Sequence, residues 1–250
     1  MAPVPRRIVF AVLGLLTLLL AWQAAFVRGG PFVMPRPADT LWRCLALVRD
    51  GALWRPVALT AAHALGGFAV GAWAGLLLGL AGGAWRDLGA TLQGVSTIAL
   101  GMPPIIWIVL ALFWFGPQGA TPVFVVAVGV APVVFAATMA GLHDTSPALE
   151  ELATAFGASW RQRLFEVRVP QLAVAVAPAL ATALGFSWKI ALMAEVIDAG
   201  DGIGGAIATA RAQLDMVDTM AWVVVALALL LGADALLALA IRPAAGRSRP

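Results

Sequence analysis

Six stretches of the chain are almost free of charge: residues 8–27, 57–83, 95–115, 122–141, 173–197 and 219–241. Each approaches or exceeds the length needed to cross a hydrocarbon layer of roughly 30 Å, about 20 helical residues. None alternates apolar and polar positions as a barrel strand does, so helices are left as the way to satisfy the backbone in lipid. The pattern predicts an all-α integral membrane protein with about six transmembrane helices. The first apolar run follows Arg6 and Arg7, as in a leader peptide. It is long, however, and no small-x-small cleavage site follows, so it reads as a retained first span. Beyond it, Leu41, Trp42, Leu45, Leu47 and Val48 alternate loosely with charges, the pattern of a short interfacial helix with Trp42 and Trp54 at headgroup depth. The chain thus divides into an N-terminal span with its interfacial segment (1–56) and a membrane core (57–250) interrupted by a polar loop at about 142–172.

Composition strengthens the membrane assignment. With 62% hydrophobic and 12% charged residues in 250, a soluble fold would have too little interior to hide its apolar surface. The net charge of +3 invites a nucleic-acid reading. The arginines lie instead in short loops and at the ends, with no basic stripe interleaved with aromatics. Six spans put both ends on one side, and the positive-inside rule selects it. Cytoplasmic termini give nine inner arginines (6, 7, 86, 161, 163, 168, 242, 247, 249) against six outer ones (28, 36, 43, 49, 55, 211). The single cysteine, Cys44, forms no intrachain disulfide. His63 and His143 are far apart and in different settings, so no metal site is expected.

In the second span Gly67, Gly71, Gly75, Gly79 and Gly83 recur every four residues. Lipid supplies no hydrophobic drive between helices, and small residues let them approach closely. The row serves either packing within one chain or an interface with a second subunit. No P-loop lysine follows these glycines, so they are not a phosphate cradle. In the third span Pro103 and Pro104 remove backbone donors and bend the axis. The bend is either a broken helix lining a solute path or a passive kink.

The polar loop contains ELATAFGASWRQRLFEVRVP, residues 151–170. Thr145-Ser146-Pro147 has the form of a helix start, a cap residue followed by proline in the first turn. Glu150 and Glu151 suit the positive end of that helix. Gly157 breaks it, and Ser159-Trp160-Arg161-Gln162 fits a capping box for a second helix, with Pro170 closing the element before the fifth span. Ala153, Ala155 and Gly157 leave room for something to press close. A structured unit where a handful of residues would suffice implies a cytoplasmic partner; the alternative is an amphipathic helix resting on the membrane surface.

This loop resembles the EAA loop of permease subunits in binding-protein-dependent ABC importers: Glu-Ala-Ala, three residues, Gly, nine residues, then Ile-x-Leu-Pro. Glu151, Ala153, Gly157 and Pro170 match at the required spacing, Val167 and Val169 replace Ile and Leu, and Leu152 replaces the first Ala. Other segments resemble the nitrate, sulfonate and taurine branch, which also includes transporters of pyrimidine vitamin precursors. They are Phe32-Val33-Met34-Pro35-Arg36-Pro37 after the first span, Pro103 with Phe113-Trp114-Phe115-Gly116, and Trp188 with Ala194-Glu195 and Gly202-Ile203-Gly204. Gly232 and Asp234 fit the last span. Departures fall at Val109, His63 and Lys189, positions in or near the membrane that bear on substrate rather than class.

The resemblance implies a type I ABC importer permease fold in a bacterial inner membrane. It implies a second permease copy, two ATPase subunits that bind ATP and magnesium, and an external substrate-binding protein. This chain would itself be neither an enzyme nor a cofactor carrier. Glu151, Ala153, Gly157, Ser159, Val167 and Pro170 would form the ATPase-coupling element. The solute would be a small anion such as a sulfonate, taurine or nitrate; a neutral pyrimidine precursor, or a secondary transporter instead, are the alternatives. A secondary transporter would carry inverted repeats, of which the sequence gives no sign.

Charges within spans cost about 2.5–3.5 kcal/mol on insertion scales and usually face a protein interior or a water path. Lys189 is expected either to line the path and attract an anion or to serve a structural pair, with His63 at similar depth. Pro103 and Trp188 join them as path candidates. Glu195 is a further path candidate, with ordering of the outer loop at 198–218 as its other reading. Asp234 is expected to serve helix packing.

Overall fold

The computed structural model describes residues 6–117 and 119–245, and every regular element among them is a helix. In chain order these are α1 (Arg6–Gly29), α2 (Pro37–Arg49), α3 (Trp54–Ala84), α4 (Arg86–Gly101), α5 (Pro104–Phe115) and α6 (Ala120–His143). There follow α7 (Pro147–Ala155), α8 (Trp160–Gln162), a π-helical turn (Arg163–Arg168), α9 (Val169–Asp198), α10 (Gly202–Ala212) and α11 (Met216–Ala245). Five helical runs are long and apolar enough to cross a bilayer, and the α4–α5 pair makes a sixth if counted as one broken span.

That pair departs from the single kinked span expected at 95–115. Helix α4 begins at Arg86, and the axis turns by 100° before α5. The cause is local. Neither Pro103 nor Pro104 can donate to the preceding turn, and a residue before proline avoids helical geometry. Met102 (ψ 127°) and Pro103 (ψ 140°) are accordingly extended.

The glycine row of α3 packs against α6 of the same chain, which decides between the two readings of that row. A Cβ at Gly67 would lie 2.5 Å from Val126 Cβ and 2.7 Å from the Val123 carbonyl oxygen. One at Gly71 would lie 2.6 Å from the Ala127 carbonyl oxygen, and one at Gly79 would lie 2.5 Å from Thr138 Cβ. Backbone therefore meets backbone along the seam. Helix α9 joins these two through Ala64, Val126, Val130, Val134, Ala183 and Ala191.

At the α10 end of α9, Leu47, Leu192, Ile203, Ala221 and Trp222 gather α2, α9, α10 and α11 into a second cluster. Helix α2 is thus docked rather than merely resting at the interface. Its Leu47 is buried, and Arg43 Nε donates to Asp218 Oδ1 of α11 at 2.6 Å. Trp42 and Trp54 stay exposed. Helix α1 buries none of its apolar window and touches the rest lightly, through the Trp22 indole donating to the Pro35 carbonyl at 2.9 Å.

Pro170 does not close the element between the fourth and fifth spans. Helix α8 runs through the π turn into α9 without a break, with the Val169 N–H bonded to the Leu164 carbonyl. The widened turn makes room for a proline ring that would otherwise press on the carbonyl four residues back. Helix α9 itself has 30 residues, a rod of roughly 45 Å.

Candidate functional site

The α7–α8 element is folded by its own side chains. Ser146 stands at the N-cap of α7 with Pro147 in the first turn. Its side chain makes no cap bond; instead the Ser146 N–H donates to Gln171 Oε1 at 2.8 Å. The Gln171 amide in turn donates to the Val167 carbonyl at 2.9 Å, so the loop entrance is tied to the root of α9. Helix α7 ends where Gly157 takes φ +72°. There the Gly157 N–H reaches the Thr154 carbonyl and the Ala158 N–H the Ala153 carbonyl, the paired bonds of a Schellman motif. Positive φ is what requires glycine at this point, since nothing lies within 4 Å of where a Cβ would stand. Ser159 and Gln162 then form a reciprocal capping box.

Glu150 holds the two halves together. Arg163 Nε donates to its Oε1 at 2.9 Å, Arg163 Nη2 to the same oxygen, and Arg168 Nη2 at 2.9 Å. The Arg168 and Arg163 guanidiniums hold the Glu150 carboxyl below the usual carboxylate range, and Glu150 holds the Arg168 guanidinium above its own. Leu149, Leu152, Phe156, Trp160 and Phe165 stand exposed around this cluster, Phe156 by 83%. Such a patch on a folded, charged scaffold is the surface expected of a docking element.

At the far end of α9 lies a second hub. Glu195 is fully buried. It accepts from Thr60 Oγ1 at 2.8 Å and from the Gly204 N–H at 3.0 Å, and His63 Nδ1 lies 2.8 Å from its other oxygen. Thr60 Oγ1 accepts in turn from the Ile203 N–H at 2.9 Å. Gly204 lets α10 approach this closely, because a Cβ there would fall 2.7 Å from the Leu192 carbonyl oxygen. The carboxylate therefore binds α3, α9 and α10 at one point.

Between these hubs, at the α4–α5 break, is a cavity of about 370 Å³. Met102, Pro104, Trp107, Phe186, Lys189 and Ile190 are among its walls.

The structure sorts the sequence candidates into these three places. Glu151 is exposed on α7, Ala153 and Gly157 build its C-terminal cap, and Ser159 caps α8. Val167 lends its carbonyl to Gln171, and Pro170 lies in the first turn of α9. The path candidates separate. Lys189 faces the cavity, and Pro103 caps the α5 side of the break. Trp188 packs against the cluster joining α3, α6 and α9. His63 and Glu195 are not among the cavity's walls; they are buried against each other, because a carboxylate in lipid is best placed on nearby donors. Asp234 lies on α11 beside Gly185 of α9.

Sequence reasoning passed over Glu150 as a partner, Gln171 as a tether, and the apolar ridge of α7. The ridge had a signal, since Leu149, Leu152 and Phe156 fall at three- and four-residue steps on one helix face. Glu150 and Arg163 are separated by 13 positions and a turn, so their pairing had none.

The family model described as binding-protein-dependent transport system inner membrane component matches residues 67–243. A protein of Escherichia coli named as an aliphatic sulfonates transport permease is 29% identical over 110 residues, 44% of this chain and 42% of that one. Its counterpart of the same name in Bacillus subtilis is 26% identical over 125 residues, 50% and 44% of the two chains. An ABC transporter permease protein of Methanocaldococcus jannaschii is 27% identical over 104 residues, 41% and 39% of the two. The chain thus spans about two fifths of the length of the curated relatives it matches. Among solved structures, one described as an amino acid ABC transporter with histidines aligns with a TM-score of 0.59 at 18% identity, covering 80% of this chain and 97% of that one. That likeness is one of fold. The helical core, the seam and the family match agree: the chain belongs to the binding-protein-dependent transport system inner membrane components, as a multi-pass ABC importer permease of type I fold.

Proposed function

We propose that this permease couples a separate cytoplasmic ATPase to the import of a small organic anion, by carrying movement of the α7–α8 element along α9. The observation that carries the proposal is the unbroken helix from Trp160 to Asp198, which runs to the Glu195 hub from the Glu150–Arg163 pair that ties it to the exposed ridge on α7. A push on α7 reaches the outer end through a rod rather than through a hinge. Backbone-tight packing of α3 on α6 supplies a body for that rod to rock against, the kind of two-state motion that alternating access needs.

In this reading both termini are cytoplasmic. ATP and magnesium are bound by two ATPase subunits, and an external binding protein delivers solute to a pair of permease chains. Glu151, Ala153 and Gly157 dock in the ATPase, with Leu149, Leu152 and Phe156 filling its groove. The sulfonate permeases named among the relatives, and the cation in the cavity wall, support an anionic solute.

Gly157→Arg tests the coupling. A non-glycine residue at φ +72° costs roughly 1–2 kcal/mol locally, and the long side chain obstructs docking. Copurification of the ATPase should be lost while helix content and the thermal midpoint of the spans hold. Wild-type copurification would remove the coupling assignment. Uptake of labelled sulfonate, taurine, nitrate and a pyrimidine precursor by a deletion strain tests the solute class, with loss of an anion expected.

A further inference from the structure

We propose that Asp198, beside the His63–Glu195 pair, is a proton-binding site: one proton taken up there tightens the joint of α3, α9 and α10, and its loss loosens that joint.

Asp198 ends α9, just past the apolar run 173–197 and one turn beyond Glu195, on the same face of the helix. Both side chains are buried, Glu195 fully and Asp198 with 7% of its surface left. They are served very differently. Glu195 has Thr60, His63 and the Gly204 N–H on its two oxygens. Asp198 Oδ1 is sealed from solvent and has no hydrogen-bond partner. The turn into α10 closes over it. A Cβ at Gly200 would lie 3.3 Å from Asp198 Oδ1, and one at Gly205 would lie 1.8 Å from the Gly200 carbonyl oxygen. Ala199 holds that turn at φ +53°, a left-handed geometry uncommon for alanine.

The charges around Asp198 do not balance. Glu195 from α9 and His63 from α3 are the groups whose charge bears on it. His63 brings one positive charge at most, and its Nδ1 is already engaged with Glu195. On α10, Asp201 is exposed and lies 3.9 Å from Arg55 of α3. On α11, Asp218 is paired with Arg43 of α2. At this end α6 presents Gly119 to the His63 ring and no charge. Two ionised carboxylates would thus share one cation at most, at a helix C-terminus whose dipole also disfavours negative charge. A buried charge without donors costs far more than a buried neutral carboxyl, so Asp198 is best held protonated. A proton suits the place where a larger ligand does not. The sealed oxygen offers no surface to bind one, whereas a proton on either oxygen neutralises the group. Because the neutral form is the stabilised one, the joint is firm in acid and weakens as pH rises.

The test uses the full-length chain in nanodiscs without ATPase or solute, so its result is independent of the import reading. Infrared difference spectra between about pH 8 and about pH 5 should show the C=O stretch of a buried carboxyl gaining a proton in wild type, and not in Asp198→Asn. Amide exchange at residues 199–205, corrected for intrinsic rates, should slow about tenfold in wild type over the same range, the effect of one unit of raised proton affinity. In Asp198→Asn, whose amide imitates the neutral carboxyl, exchange should stay at the slow rate throughout. The thermal midpoint of that variant should exceed that of wild type at about pH 8 and match it at about pH 5. Exchange and midpoint curves of the two proteins that run parallel overturn the proposal. So does a carboxyl band that still titrates in Asp198→Asn, since Glu195 would then carry the proton. Should the variant not fold, wild type alone decides: absence of any buried carboxyl gaining a proton in this range overturns the site.

Discussion

At the α7–α8 end of α9, Glu150 is held by Arg163 and Arg168, all partly exposed. At the α10 end, Glu195 is fully buried and held by Thr60, His63 and the Gly204 N–H. Each glutamate joins elements distant in sequence, and the solvent around each decides what that joint can do. Near water an ion pair is weak and screened by salt, and its members can exchange partners. A buried carboxylate cannot let go without stranding donors in a low-dielectric interior. The exposed joint is therefore suited to rearranging, and the buried joint to keeping three helices in one arrangement.

The largest effect expected from this contrast is at Glu195. Glu195→Leu strands Thr60, His63 and the Gly204 N–H together, and each buried polar group left without a partner costs about 1–3 kcal/mol. A large fall in the thermal midpoint of the solubilised protein is expected, and an unchanged midpoint would dissolve the contrast. Thr60→Val comes next. It leaves the Ile203 N–H unpaired and takes one of two donors from Glu195 Oε2, for about 1–3 kcal/mol, a clear but smaller fall by the same measurement.

The smallest effect is at Glu150. Glu150→Gln should leave the midpoint unchanged while hydrogen exchange in α7, corrected for intrinsic rates, becomes faster. Protonation should reproduce that loss in wild type. Because the Glu150 carboxyl is held below its usual range, its contribution is complete above the ordinary glutamate value of about 4.3 and fades as pH falls through the lowered value. Protection of α7 should thus be level from neutral to about pH 5, decline in stronger acid, and be absent at every pH in Glu150→Gln. Loss of protection already near neutrality would mean that another group holds the element.

Legibility in the sequence followed the range of the forces involved. The apolar blocks, the α7 start at Ser146-Pro147, the Gly157 break and the Ser159–Gln162 box are local, and each left a local mark. The glycine period announced close packing but not its partner: the matching row on α6, Val126, Val130, Val134, Thr138 and Leu142, keeps the same four-residue step but lies in a helix that is apolar all round, where nothing singles it out. Two prolines announced a bend, while its size depends on what α4 and α5 pack against. Pro170 misled because a proline that looks like a stop is accommodated by a wider turn, a choice made by residues on both sides of it. Glu195 gave least away: its side-chain partners lie 132 and 135 positions upstream, and only the fold brings them together.

The π turn also sets an azimuth. One residue more or fewer in a helix rotates whatever precedes it by about 100° against whatever follows. Deleting a single residue between Arg163 and Arg168 would leave α9 seated in its bundle and swing the α7 ridge about a quarter-turn around the rod's axis. Insertions and deletions here therefore act as a compass setting, choosing which way the α7 ridge points while the membrane core stays as it is.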